Sequence, residues 1–214
     1  MSPARSPDSI ALVLASRSPR RAQLLRGAGF EPIQVTPYFQ DPADPNEAFA
    51  RTPNGPDAAL HLAERKAESL PPELFTRYPD AVFLTSDTVG IAPDGQLVGT
   101  PESSDQALAM LRGLVGRRHV IATGVCLHQS DGTFESFVAT AAVDLGPVDE
   151  DELQRYVASG QWAGKAGGYN LIERQTAGWP ITVEGDPATV MGLPMDRLTP
   201  LLEQLGVPRI ATHA

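Results

Sequence analysis

Residues 12–21 read LVLASRSPRR, and the rest of the chain is best approached from them. Their first four residues have the length and apolar character of a buried strand. A serine-rich turn follows and leads to Pro19, which suits a first helical turn because its missing N–H has no partner there. Ser18 is a good N-cap, Ala22, Leu24 and Leu25 mark an apolar stripe, and glycines at 27 and 29 end the helix. Such a strand–turn–helix gathers free backbone N–H groups, the Ser16 and Ser18 hydroxyls and the Arg20 and Arg21 guanidiniums at one spot. That combination suits a phosphate. The same residues also fit an ordinary turn with two solvated arginines.

Downstream, residues 36–56 are rich in Pro, Asp and Asn and read as a long loop. Residues 57–70 read as a helix capped by Asp57, with Ala59, Leu62, Ala63 and Leu70 on one face. Lys66 shares that face, where a lysine either snorkels to water or meets an anion. Residues 81–92 form a strand candidate ending at Pro93-Asp94-Gly95, and Ser103 with Gln106 spells a capping box for a helix stopped by Gly116. Strands over 119–129 and 133–145 are joined across Asp131-Gly132, a hairpin signal. An acid-led helix over 149–159 closes at Gly160, a glycine-rich loop over 161–168 holds Trp162 and Lys165, and a last helix covers 195–205 despite Pro200. Alternating strands and helices with at least one hairpin predict an α/β fold with a mixed sheet. One domain over 10–214 is expected, preceded by a flexible extension at 1–9.

Composition narrows the function. A net charge of −9 and a pI near 4.9 argue against a nucleic-acid surface, so basic residues in turns read as local anion contacts. The single cysteine, Cys126, excludes an internal disulfide and a cysteine-rich zinc site; it sits in an apolar run and reads as core. No apolar stretch approaches the ~20 residues that span a bilayer, and the polar start makes a poor signal peptide. A cytoplasmic protein with no membrane partner is the expectation.

Asp87 stands in AVFLTSDTVGIA, between Ser86 and Thr88. A carboxylate among apolar residues is costly unless paired, hydrogen-bonded or metal-bound, so it reads as a base or a Mg²⁺ ligand, or more simply as the cap of a strand-end turn. Lys165 lies in GKAGGY, where glycines allow close backbone approach to a ligand. Arg117, Arg118 and His119 follow a helix stop and read as partners of its dipole. His61, His128 and His213 lack metal-ligand spacing, so zinc is not expected. Neither a P-loop nor a dinucleotide-binding glycine motif is present in the sequence.

Six segments in order, LASRSPRR, LAERKA, SDTVG, LRGLVGRRHVIATGV, GKAGGYNLIE and VMGLPM, together resemble the Maf family, nucleoside triphosphate pyrophosphatases also known as septum-formation inhibitors. The resemblance spans nearly the whole chain. It implies cleavage of the α–β phosphate bond to a monophosphate and pyrophosphate, Mg²⁺ or Mn²⁺ as cofactor, two lobes around a central cleft, and a homodimer. It assigns Asp87 as catalytic or metal-linked carboxylate. Ser16, Ser18, Arg20, Arg21, Lys66, Thr88 and Lys165 would bind the substrate. The chain departs from the family pattern at Thr100, where a lysine is usual, near Gln40, where an acid is usual and Asp41 or Asp44 could substitute, and at Ile172 beside Glu173. A nucleotide-binding regulator with little catalysis is the alternative those departures suggest. A DNA-binding division factor conflicts with the acidic charge.

Overall fold

The computed structural model describes residues 10–39 and 55–210. The expected extension at 1–9, most of the expected loop at 36–56, and Gln40, Asp41 and Asp44 lie outside these described residues.

The opening segment folds as its sequence suggests, into β1 (Leu12–Ala15) and α1 (Pro19–Gly27). Ser18 occupies the N-cap position, but its side chain makes no capping bond. Its backbone N–H instead donates to Ser16 Oγ at 3.1 Å, because the turn folds back on itself before Pro19 starts the helix. After β2 (Pro32–Val35), α2 (Gly55–Glu68) begins two residues earlier than the sequence suggests. Pro56 fits that first turn, and Asp57 lies within it as a favourable charge rather than as the cap.

Next come α3 (Pro72–Arg77), the long β3 (Val82–Ile91), the short β4 (Leu97–Val98) and α4 (Ser104–Leu114). In α4, Ser103 Oγ accepts from the Gln106 N–H as the capping box requires. The return arm lands one residue early, since the Glu102 N–H, not that of Ser103, donates to Gln106 Oε1. The hairpin β5 (Arg117–His128) and β6 (Phe134–Leu145) follows, then α5 (Glu150–Ala158) and a 3₁₀ turn at Ala166–Gly168. The chain ends in α6 (Leu171–Thr176), β7 (Ile181–Glu184), α7 (Pro187–Met191) and α8 (Met195–Gln204), which carries Pro200 on its exposed side.

The described strands form one mixed sheet in the order β2-β1-β3-β5-β6-β7, with β4 added to β3. Pairing is parallel from β2 through β1 to β3 and antiparallel beyond. Strand alternation then sorts side chains between two faces. On one face, Val82 and Leu84 of β3 and Val125 and Leu127 of β5 pack with α1 and α8 through Leu25, Leu198 and Leu202. Further along that face, Val143 and Leu145 pack with Leu111 of α4 and Tyr156 of α5 in a second core. Between the two cores lie Thr88 and Thr123, directly paired across β3 and β5. The sheet's opposite face is covered by α2, which packs Ala58, Ala59 and Leu62 against Val89 and Ala122. Among the described residues, no helix is long and apolar enough to cross a membrane.

Candidate active site

The polar gap between the two cores is filled by Arg21. Its Nε donates to the Gly192 carbonyl at 3.0 Å, Nη1 to Ser16 Oγ at 3.3 Å and Nη2 to Thr88 Oγ1 at 3.3 Å. Thr88 Oγ1 lies 2.9 Å from Thr123 Oγ1, which donates to the Thr189 carbonyl at 2.8 Å. One hydrogen-bonded chain thereby joins the turn after β1, the middle of the sheet and the loop between α7 and α8. Gly192 is required there: its φ is +108°, and a Cβ would come within 2.9 Å of Arg21 Nε. Gln34 ties the turn to β2 by donating to the Ser16 carbonyl at 2.7 Å.

A cavity of about 260 Å³ opens from this gap. Ser18, Arg20, Arg21, Thr88 and Lys165 line its polar part. Val98, Leu114, Ile121, His119 and Tyr169 line an apolar part. His119 and Thr123 project from the same face of β5 four residues apart, roughly 13 Å at the rise of a strand. The lining thus has a polar region at Thr88 and Arg21, beside Thr123, and a mostly apolar region at His119, with the loop carrying Lys165 and Tyr169 along it.

Lys165 is ion-paired with Glu173, and its loop is held from behind by Arg174. The Arg174 guanidinium stacks over Tyr156 at 4.3 Å and donates to Gln161 Oε1 at 2.7 Å. At the apolar end, His119 Nε2 lies 2.7 Å from the Tyr169 hydroxyl. Burial pushes the imidazole down to about 4 and raises the phenol well above its ordinary value, so both groups are neutral near pH 7.

Lys66 and Asp87 sit elsewhere. Asp87 and Thr88 are consecutive on β3 and so face opposite sides of the sheet. Lys66 Nζ meets Asp87 Oδ1 at 2.5 Å, both groups buried beneath α2 rather than on the cavity wall. Two features bring α2 this close. Thr85 Oγ1 donates to the Ala63 carbonyl, and Gly124, beside Asp87, leaves room for the Ala59 carbonyl. Described pairing joins β1 to β3 only at Val82–Leu84 and β4 to β3 only at Gly90–Ile91. Asp87 and Thr88 thus lie on β3 between those two described pairings.

The structure therefore brings Ser18, Arg20, Arg21, Thr88 and Lys165 to one cavity, with Ser16 bonded to Arg21, and places Lys66 and Asp87 one sheet thickness away. Thr100 lines the cavity, and Ile172 is half exposed. Arg117–His119 do follow the end of α4 at Leu114, but they open β5 instead of partnering the helix dipole. Arg118 pairs with Asp144 and Glu184, while His119 alternates inward and is buried. His119 and Tyr169 are site residues that the sequence reading left unassigned. The signal available was alternation, which puts His119 on the same strand face as Ile121 and Thr123. Cys126 is buried, as expected of a core residue, and burial pushes its thiol up to about 12.

Among the described residues, no group of three His, Cys, Asp or Glu side chains could hold a metal ion. Asp87 offers a hard carboxylate oxygen of the kind a magnesium or manganese ion takes, whereas the Ser86 and Thr88 hydroxyls lie on the other face of the sheet, so phosphates and water would complete such a site.

The family described as Maf-like protein matches residues 11–205. A dTTP/UTP pyrophosphatase of Salinibacter ruber is 38% identical over 191 residues, covering 89% of this chain and 88% of that protein. The dTTP/UTP pyrophosphatase of Agrobacterium fabrum is 36% identical, covering 91% of this chain and 92% of the relative. That of Caulobacter vibrioides is 37% identical, with 92% and 96% covered. Among solved structures, a HAM1 protein from Coxiella burnetii aligns over 91% of this chain and 99% of its own, at 11% identity and a TM-score of 0.45.

Proposed function

The chain belongs to the Maf-like protein family, and from that membership we propose that it is a nucleoside triphosphate pyrophosphatase acting on dTTP and UTP. Water cleaves the anhydride between the α and β phosphates, giving a nucleoside monophosphate and pyrophosphate. The relatives' activity motivates the substrate. The observation that carries the reading is the cavity that runs from a cationic, hydroxyl-rich end to an apolar one, as a triphosphate joined to a base requires.

Arg20, Arg21 and Lys165 neutralise the phosphate oxygens, while Ser18 and the positive end of the α1 dipole hold them in place. Asp87 takes the proton of the attacking water where the substrate reaches past Thr88 to the α2 side of β3, and the Lys66 ammonium at 2.5 Å fixes the orientation of the carboxylate there. Asp87 would be the residue to hold a Mg²⁺ or Mn²⁺ ion, which would supply charge neutralisation and a more acidic water. Catalysis of this type rests on positioning and electrostatics rather than covalent chemistry. The single buried Cys126 supports a reducing cytoplasm as the site of action.

The test is pyrophosphate release from UTP and dTTP with Mg²⁺ or Mn²⁺, for the parent protein and Asp87→Asn. The expected loss in the variant is about a hundredfold or more, with an unchanged circular dichroism spectrum. Equal release by both proteins removes Asp87 from the mechanism, and no release from any triphosphate removes the reading itself.

A further inference from the structure

The apolar end of the cavity holds one polar pair, and its proton placement can be worked out. The described partner of the Tyr169 hydroxyl is His119 Nε2, and His119 Nδ1 is buried without a partner. Were Tyr169 the donor, the neutral imidazole would carry its proton on Nδ1, where nothing receives it. An orphaned buried N–H is the rarer and costlier arrangement. The imidazole therefore keeps its proton on Nε2 and donates to the Tyr169 oxygen, which leaves the tyrosine O–H to donate elsewhere. Tyr169 lines the cavity, so the available acceptor is a ligand atom.

The ligand's orientation follows from the cavity's polarity. Phosphates belong with Arg20, Arg21 and Thr88, and the base therefore enters the apolar end among Val98, Leu114 and Ile121. His119 lies about 13 Å along β5 from the polar seam, so the pair meets the edge of the base farthest from the sugar. On a pyrimidine that edge carries the 4-substituent: a carbonyl acceptor in uracil and thymine, an amino donor in cytosine.

We propose that Tyr169, locked as a donor by His119, reads the 4-oxo group and so selects uracil and thymine nucleotides over cytosine nucleotides. A hydroxyl left to itself could donate or accept and would not discriminate. The bond from His119 occupies its acceptor side and gives it one polarity. This inference rests on the nucleotide pyrophosphatase reading and assigns the base contact within it.

The experiment compares UTP with CTP for the parent protein and Tyr169→Phe, a change that keeps the buried ring and removes only the hydroxyl. The ratio of kcat/KM for UTP over CTP should narrow about tenfold in the variant, mostly through KM, as one net hydrogen bond is worth. A ratio within threefold of the parent's, or a parent with no preference for UTP, overturns the assignment. The same comparison is made by titrating α,β-methylene UTP and CTP, which reads selectivity without turnover. If the parent hydrolyses neither nucleotide but binds the UTP analogue preferentially, and Tyr169→Phe loses that preference, the base contact stands and the catalytic reading fails.

Discussion

Three of the five N–H donors of Arg21 meet three separate acceptors, the Gly192 carbonyl, Ser16 Oγ and Thr88 Oγ1, which come from three parts of the chain. A lysine has the charge but not the planar fork, so Arg21→Lys leaves some of these acceptors unmet. The expected result is a fall in kcat/KM for UTP of about a hundredfold, with the melting temperature lowered by a few degrees. Activity close to the parent's would show that charge alone suffices. His119 gives a pH dependence with a definite sign. Its folded pKa of about 4 lies below the ordinary 6.5 because burial disfavours the charged ring, an effect only partly opposed by Asp144. Below pH 6.5 the unfolded chain takes up a proton that the fold refuses, so stability declines as pH falls from about 6.5 towards 4. Above 6.5 the group has no effect. Between pH 7 and 5 the parent should lose about 2 kcal/mol more stability than His119→Gln, measured by urea unfolding. Parallel pH profiles would contradict the buried, neutral imidazole. Residues near one another in sequence were the readable part of the site: Ser16, Ser18, Arg20 and Arg21 sit on one turn, and a proline and two arginines announce it. His119 and Tyr169 were not readable, because their contact joins residues 50 apart and exists only once β5 and the glycine loop are assembled.

The contact between α2 and the sheet depends on a missing side chain. A Cβ on Gly124 would lie 2.3 Å from the Ala59 carbonyl oxygen and 2.5 Å from the Leu60 Cα, both backbone atoms that cannot rotate aside. Gly124→Ala therefore forces the helix outward and should cost about 1–3 kcal/mol. Lys66 moves with the helix, so pyrophosphate release should drop as well. Gly113, inside α4 with nothing within 4 Å of an added Cβ, is the control. There, Gly113→Ala should stabilise by about 0.5–1 kcal/mol, since alanine is the better helix former. Thermal unfolding of the two variants should shift in opposite directions, and a shift in the same direction would refute the packing argument. The long elements were legible because each carries a full period of apolar residues: β3, β5, β6, α4 and α5 all appear close to their expected bounds. Four-residue β2 and β7 and two-residue β4 were not, since a strand that short shows no alternation to read. Their positions are set by pairing with β1, β6 and β3.

The whole molecule places two apolar cores on one face of a single sheet and leaves a polar seam between them. The parallel strands β1 and β2 end at that seam, where α/β folds present backbone groups and helix N-termini to ligands. The expectation of an α/β fold with a mixed sheet was legible because hairpin and crossover signals occur in the same chain. The division of the charged residues was not. Asp87 and Thr88 are neighbours in sequence, yet alternation sends one to the Lys66 side and the other to the Arg21 side. The proposed reaction requires both sides to act on one substrate. That reaction is tested by identifying the products of UTP turnover by ³¹P nuclear magnetic resonance. UMP and pyrophosphate, formed in equal amounts from the start of the reaction, are expected. UDP and inorganic phosphate as the first products would contradict it.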